Sequence, residues 1–187
     1  MREVWDRIER WLAANVPNMF EGLNPGATTQ EIAETEALLG VSFPDDVRAS
    51  YLIHNGQALN SGGLIDGWEL LSLENIHDQW SVWKDLLDGG DFAESRSEPR
   101  GPIVADWWHP KWIPLTYDGS GNHHSLDLAP APGGTVGQII IMWHDDAERP
   151  LVAPSFRAWL EQFADGLERG DYSYSEEYGG VVHRDSL

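Results

Sequence analysis

The stretch that decides the fold of this chain lies near its beginning, where residues 28–56 read TTQEIAETEALLGVSFPDDVRASYLIHNG. Its start predicts a helix, because Thr28 and Glu31 have the spacing of a capping box, in which each side chain satisfies a free backbone N–H. Gly40 stands where that helix would end, since glycine readily takes the left-handed conformation of a C-terminal cap. Pro44 then predicts the first turn of another helix, which ends at the Asn-Gly pair.

A second patterned stretch, residues 112–137, reads WIPLTYDGSGNHHSLDLAPAPGGTVG. Its short apolar runs alternate with turn-forming residues, a pattern typical of antiparallel strands joined by turns. Apolar residues at helical spacing predict three further helices elsewhere in the chain. We therefore expect strands at 112–117, 123–128 and 138–143, and helices at 4–14, 73–87 and 156–167. Helices placed before and after a block of strands indicate the α+β class.

Three polar segments predict connections. Residues 15–26 contain prolines and glycines and are expected to join two helices. Residues 88–101, rich in glycine, serine, glutamate and arginine, predict a mobile surface loop. The residues after Gly170 are interpreted as a tail with tyrosines among acids. We find no internal repeat and no linker, so a single domain is expected.

The composition is that of an acidic chain without cysteine. Its 187 residues contain 12 Lys plus Arg against 31 Asp plus Glu, a formal net charge of -19. Such a charge repels nucleic acid and anionic membranes and attracts basic proteins, although solubility alone also favours it. The sequence contains no cysteine, no apolar signal core at the N-terminus and no apolar run that approaches ~20 residues. These three observations predict a cytoplasmic protein without a membrane partner.

Taken together, the two patterned stretches resemble the SUKH superfamily, which includes fungal cell-wall-assembly regulators and bacterial immunity proteins. The matching positions are Glu36, Leu39-Gly40, Phe43-Pro44, Asp46, Tyr51, Asn55-Gly56, Trp112, Pro114, Asp118-Gly119, Gly121-Asn122, Leu126-Asp127 and Gly137. The resemblance implies an α+β fold with a central, largely antiparallel sheet flanked by helices. We accordingly expect an N-terminal helix and connection at 1–26, a SUKH-like domain at 27–168 and an acidic, tyrosine-rich C-terminal tail at 169–187.

The resemblance also implies a protein that binds rather than catalyses. Our leading hypothesis is an immunity protein that binds and neutralises a toxin domain with a basic surface, such as a nuclease. The alternative is a regulatory scaffold resembling the fungal cell-wall-assembly regulators. No catalytic residue or cofactor is expected, because the sequence contains no G-x-S-x-G, P-loop or H-E-x-x-H motif.

Partner contacts are expected at Trp107, Trp108, Asp145, Asp146 and Glu148. Adjacent residues of an extended segment point to opposite faces, so if one tryptophan fills the core the other is exposed as an anchor for a partner. Two alternatives remain: residues 88–101 cover both rings, or an exposed ring is a platform for a sugar. The acids form either a patch for a basic partner or a solvated loop.

Two clusters suggest metal binding, and neither is complete. Asp118-x-Ser120-x-Asn122 begins like a calcium loop, but His123 and Ala129 occupy the positions that require Gly and Glu. The adjacent histidines 123 and 124 would point apart on a strand, and no cysteine or second histidine pair completes a zinc site. We expect instead that Asp118 and Asn122 close a turn and that Asp127 ties its strand to a loop.

Overall fold

The computed structural model describes residues 1–186, and this part of the chain forms an α+β fold, as the sequence predicts. Its helices are α1 Arg2–Asn15, α2 Pro17–Glu21, α3 Thr29–Leu39, α4 Asp45–Tyr51, α5 Leu73–Gly89 and α6 Phe156–Arg169. Its strands are β1 Glu69–Leu70, β2 Glu98–Arg100, β3 Trp112–Pro114, β4 Thr116–Tyr117, β5 His123–Asp127, β6 Gln138–Met142, β7 Glu148–Ala153, β8 Tyr172–Ser175 and β9 Gly180–His183.

The helix signals of the first patterned stretch are confirmed. The Thr28 hydroxyl accepts from the Glu31 amide at 3.1 Å, and the Glu31 carboxylate accepts from the Thr28 amide at 2.7 Å. Gly40 ends α3 with φ +64°, and α4 begins directly after Pro44. The connection expected at 15–26 was only partly right, because the proline at its start opens the short helix α2.

A five-stranded sheet in the order β2-β7-β6-β5-β3 forms the centre of the molecule. All neighbouring strands in it are antiparallel except β2 and β7, which are parallel. The strand expected at 112–117 is divided: β3 joins the central sheet, whereas β4 pairs with β1. The largely antiparallel sheet implied by the resemblance is thus confirmed.

The loop predicted at 88–101 was only partly right, because turns occupy only its middle. Helix α5 continues to Gly89, Arg96 forms a β-bridge with Asp106, and β2 pairs along β7. The polar sequence concealed this strand because β2 lies at the edge of the sheet, where side chains remain in solvent. The same pairing makes Glu148 the first residue of β7 rather than part of a loop.

The sheet is buried on both faces by two apolar clusters. Ile113, Leu126 and Ile139 belong to the larger cluster, which includes residues of all six helices. The neighbouring Trp112 and Ile140 belong to a smaller, aromatic cluster that contains Trp83, Ile103, Trp108 and Met142. Because successive strand residues point to opposite faces, this double burial explains why β6 reads as an apolar run without alternation.

Both ends of the described chain pack onto this core. Val4, Trp5, Ile8 and Leu12 of α1 lie in the larger cluster. After α6, strands β8 and β9 form a hairpin in which Val181 is fully buried and donates its amide to the Gly63 carbonyl at 2.8 Å. The division of the chain at residues 26 and 168 stays a prediction.

Candidate functional site

Helix α5 carries two apolar stripes, only one of which is used by the core. Ser72 caps its first turn, and Ile76 and Trp83 are buried against the rest of the protein. Beside this stripe, Val82 is 55% exposed and Leu86 is 37% exposed. Large apolar side chains that stay exposed next to a cavity are a common feature of binding surfaces.

A cavity of about 450 Å³ opens beside these exposed residues. We call it the α5 groove and define it by Val82, Trp83, Leu86, Phe92, Trp107 and Tyr117. His144 and Gly121 form the rim opposite the helix, where the β4–β5 turn meets the end of β6. The groove is therefore a mainly aromatic recess between one helix and two loops.

A second cavity of about 370 Å³ lies on the other side of two of these residues. Phe92 and Trp107 line both spaces, and Leu87, Arg96, Asp106 and Trp108 line only the second. The ring of Phe92 stacks on that of Trp83 with 5.7 Å between centroids. The segment that follows α5 thus builds both recesses.

The buried Arg149 holds Trp107 in position. One guanidinium nitrogen donates to the Trp107 carbonyl at 2.7 Å, and another donates to the carbonyls of Asp146 and Glu148 at 2.6 and 2.7 Å. The residue is 0% exposed, and its burial lowers the pKa of Arg149 to about 10. This value leaves the side chain charged at neutral pH, so a buried cation ties residue 107 to the β6–β7 turn.

The opposite rim is shaped by the side chain of Asp118. One of its oxygens accepts from the amides of Ser120, Gly121 and Asn122 at 2.8, 3.1 and 2.9 Å, and the other accepts from the side chains of Ser120 and Asn122 at 2.6 Å. Burial alone would raise the pKa of Asp118, but these hydrogen bonds outweigh burial and lower it. The predicted turn closure by Asp118 and Asn122 is confirmed.

The five residues expected to contact a partner occupy different environments. Trp107 is half-buried and lines the groove, whereas Trp108 is 3% exposed and packs beneath it, 6.4 Å from Trp83 between ring centroids. Asp145 is exposed next to His144. Asp146 accepts from the amide of Glu148, and Glu148 pairs with Arg100 at 2.6 Å. Of the five residues, only Trp107 lines the α5 groove, and Asp145 and Asp146 are exposed on the turn that follows the rim residue His144.

The two adjacent histidines belong to the interior. His123 donates to the Thr116 carbonyl at 2.6 Å, and His124 lies 2.9 Å from the Thr116 hydroxyl. Burial lowers the pKa of His123 to about 4 and that of His124 to about 3. Asp127 accepts from the Ala129 amide and the Gln138 side chain, which confirms its predicted tie between strand and loop.

Sequence reasoning missed Val82, Leu86, Phe92 and Arg149. Val82 and Leu86 are four residues apart, so they share one face of α5, and this spacing was a usable signal for a second apolar stripe beside the buried one. No feature of the sequence indicates that Arg149 is buried, because a buried arginine cannot be distinguished by sequence from an arginine at the surface. Among residues 1–186, no helix has the length and apolarity that a bilayer-spanning segment needs.

Comparison with known proteins identifies the family to which this fold belongs. A model of the SMI1 / KNR4 family (SUKH-1) matches residues 26–162. Cell wall biosynthesis/cell cycle regulator smi1 of Schizosaccharomyces pombe is 32% identical over 189 residues, which cover 94% of this chain and 38% of the relative. Cell wall assembly regulator SMI1 of Saccharomyces cerevisiae is 28% identical over 224 residues, 97% of this chain and 44% of the relative.

A relative of another kind is F-box only protein 3 of Rattus norvegicus, 37% identical over 180 residues, which cover 92% of this chain and 35% of the relative. This chain thus spans less than half the length of each of these three proteins. The names of the two fungal relatives describe them as regulators. The family model covers α3 through the first half of α6, which confirms the resemblance found in the sequence: this chain belongs to the SMI1 / KNR4 family (SUKH-1).

Proposed function

We propose that this chain is a regulatory interaction domain that acts without catalysis and binds partner proteins through the α5 groove. The observation that carries the proposal is the groove itself, an aromatic recess of about 450 Å³ beside the exposed Val82 and Leu86. Tryptophan is enriched among the residues that dominate binding energy at protein interfaces, and Trp107 lines this recess. The proposal includes a cytoplasmic location, which the cysteine-free composition favours.

The relatives favour the regulatory alternative over toxin neutralisation. Their names describe regulators of cell wall biosynthesis, the cell cycle and cell wall assembly. Toxin neutralisation has the support of the superfamily resemblance and of the net charge of -19, which suits a basic toxin surface. Both functions require a protein partner, and they differ in its identity.

The groove proposal can be tested by photo-crosslinking in the native cell. The photoreactive residue p-benzoylphenylalanine replaces Val82 at the groove. In a matched control it replaces Val136, which is 63% exposed. Val136 lies on the β5–β6 connection, at the end of these two paired strands that is distant from the groove. We expect specific protein adducts from position 82 that are missing from position 136. Adducts with several cellular proteins favour a regulator, and a single toxin domain favours immunity. No adduct at position 82, or the same adducts at both positions, contradicts binding through the groove.

A further inference from the structure

The α5 groove and the second cavity are separated by a ridge formed by Phe92 and Trp107. Their volumes are similar, about 450 and 370 Å³, and both ridge residues line both spaces. A partner segment that crosses this ridge meets an apolar recess on each side of it. Peptide segments that bind grooves commonly insert apolar side chains at regular spacing in this way.

Acidic side chains surround the two recesses. Asp78 precedes Val82 by four residues and Asp85 follows it by three, so the three share the exposed face of α5. The Asp78 side chain is 68% exposed. Across the groove, the Asp145 side chain is 75% exposed, and Asp106 lines the second cavity.

The basic side chains near the recesses are engaged within the protein. Lys84 pairs with Asp88 at 2.5 Å. Arg96 donates to the Ser95 carbonyl at 2.6 Å, and its backbone bridges to Asp106. Arg149 is buried beneath Trp107 and presents no charge to solvent. The guanidinium of Arg96 keeps its positive charge, because the carbonyl that it contacts is neutral. The acids Asp78, Asp85, Asp106 and Asp145 outnumber it, so the net charge beside the two recesses is negative.

We infer that the occupant of the two recesses is a cationic segment of a partner protein. Such a segment contributes two apolar side chains, one on each side of the Phe92–Trp107 ridge, with lysine or arginine beside them. This inference rests on the proposed function and specifies the chemistry of its partner. The apolar side chains set the lifetime of the complex, and the acidic rim accelerates the encounter and repels anionic segments.

A library of random 12-residue peptides displayed on phage tests this chemistry on the intact chain. Peptides are selected on the wild-type protein alone, and the affinities of the recovered peptides are then measured on the V82E/L86E variant, with V136E as the matched control. We expect the recovered peptides to share two apolar residues flanked by lysine or arginine. Their affinity should fall at least tenfold with V82E/L86E and with W107A, remain unchanged with V136E, and decrease as salt is raised.

Acidic or uncharged peptides that depend on the groove would overturn the cationic partner and leave groove binding intact. Peptides that bind V82E/L86E as well as the wild type, or a library that yields no binders, would overturn the peptide inference altogether. Binding through the groove is judged separately by the crosslinks from position 82, so the two failures are distinguishable.

Discussion

The guanidinium carbon of Arg149 lies 5.2 Å from the centroid of the Trp107 ring, and a guanidinium nitrogen of the same residue donates to the Trp107 carbonyl. A second nitrogen donates to the carbonyls of Asp146 and Glu148. One buried cation therefore fixes both the aromatic wall of the groove and the acidic turn beside it. The sequence predicted partner contacts at Trp107 and at residues 145–148. Arg149, which the sequence did not indicate, connects these two segments.

The first prediction concerns this arginine. Arg149→Lys keeps the positive charge, but a single ammonium group cannot reproduce the fork that reaches three carbonyls. We expect the free energy of unfolding, measured by urea denaturation, to fall by about 2–4 kcal/mol, because buried carbonyls lose their donors. Arg100→Lys, at an exposed ion pair with Glu148, is the control and should change little. Equal stability of the two variants would contradict the role assigned to Arg149.

The groove residues should affect binding more than stability. Val82→Glu places a charge on an exposed helix position, so we expect a change in the free energy of unfolding of no more than about 0.5 kcal/mol. Binding of a partner identified by crosslinking should weaken by about 2 kcal/mol or more, measured by calorimetric titration. Val136→Glu, at a similarly exposed site, should bind like the wild type. A Val82→Glu variant with wild-type affinity would place the interface elsewhere.

The acidic rim should control the rate of association. Replacing Asp85 and Asp145 by lysine reverses two charges beside the groove, so the association rate should decrease and its dependence on salt should flatten, with a nearly unchanged dissociation rate. Surface plasmon resonance at several ionic strengths measures both rates. The replacement of two other exposed acids by lysine, Glu3 on α1 and Glu34 on α3, is the charge-matched control. If the control slows association as much as the rim variant, only net charge matters.

The β4–β5 turn at the rim of the groove should owe much of its stability to the carboxylate of Asp118. Asp118→Ala leaves three amides without their acceptor, and we expect the free energy of unfolding to fall by about 2–3 kcal/mol. Asp118→Asn keeps one acceptor oxygen and should lose less. Urea denaturation at neutral pH distinguishes the two variants. An alanine variant that is no less stable than the asparagine variant would show that the amides find other partners.

The buried histidines should make the protein sensitive to acid. In the folded chain the pKa values of His123 and His124 are lowered to about 4 and about 3. In the unfolded chain a histidine has a pKa of about 6.5. Below pH 6.5 the unfolded chain therefore binds more protons than the folded chain. Stability is therefore fully present above pH 6.5 and decreases as the pH falls from there towards 4. Each histidine contributes a slope of about 1.4 kcal/mol per pH unit.

Urea denaturation between pH 4.5 and 7.5 measures this slope. His123→Gln should reduce the number of protons taken up on unfolding by about one, independently of any constant loss of stability. His77→Gln, which removes a histidine whose side chain is 37% exposed, is the matched control. An unchanged slope in His123→Gln would show that other groups cause the acid sensitivity.

Local signals in the sequence determined much of the scaffold. The capping box of Thr28 and Glu31, the left-handed Gly40 and the Asp118 turn are formed by residues within a few positions of one another, so the chain specifies them without its tertiary context. Together, these end signals and the apolar spacing located five of the six helices among residues 1–186 for the same reason. The family followed from these positions because they build its fold.

Only the tertiary structure determined the contacts between residues that are far apart in the sequence. Strand β2 exists because β7 lies beside it, although paired residues of the two strands are 50 positions apart in the sequence, as at Glu98 and Glu148. The burial of Arg149 and of Trp108, and the exposure of Val82, depend on which elements pack over them. Local propensity cannot encode such choices, because they depend on side chains distant in sequence. The sequence by itself therefore determined the helices, the turns and the family, whereas three-dimensional packing decided where the groove lies and which tryptophan faces it.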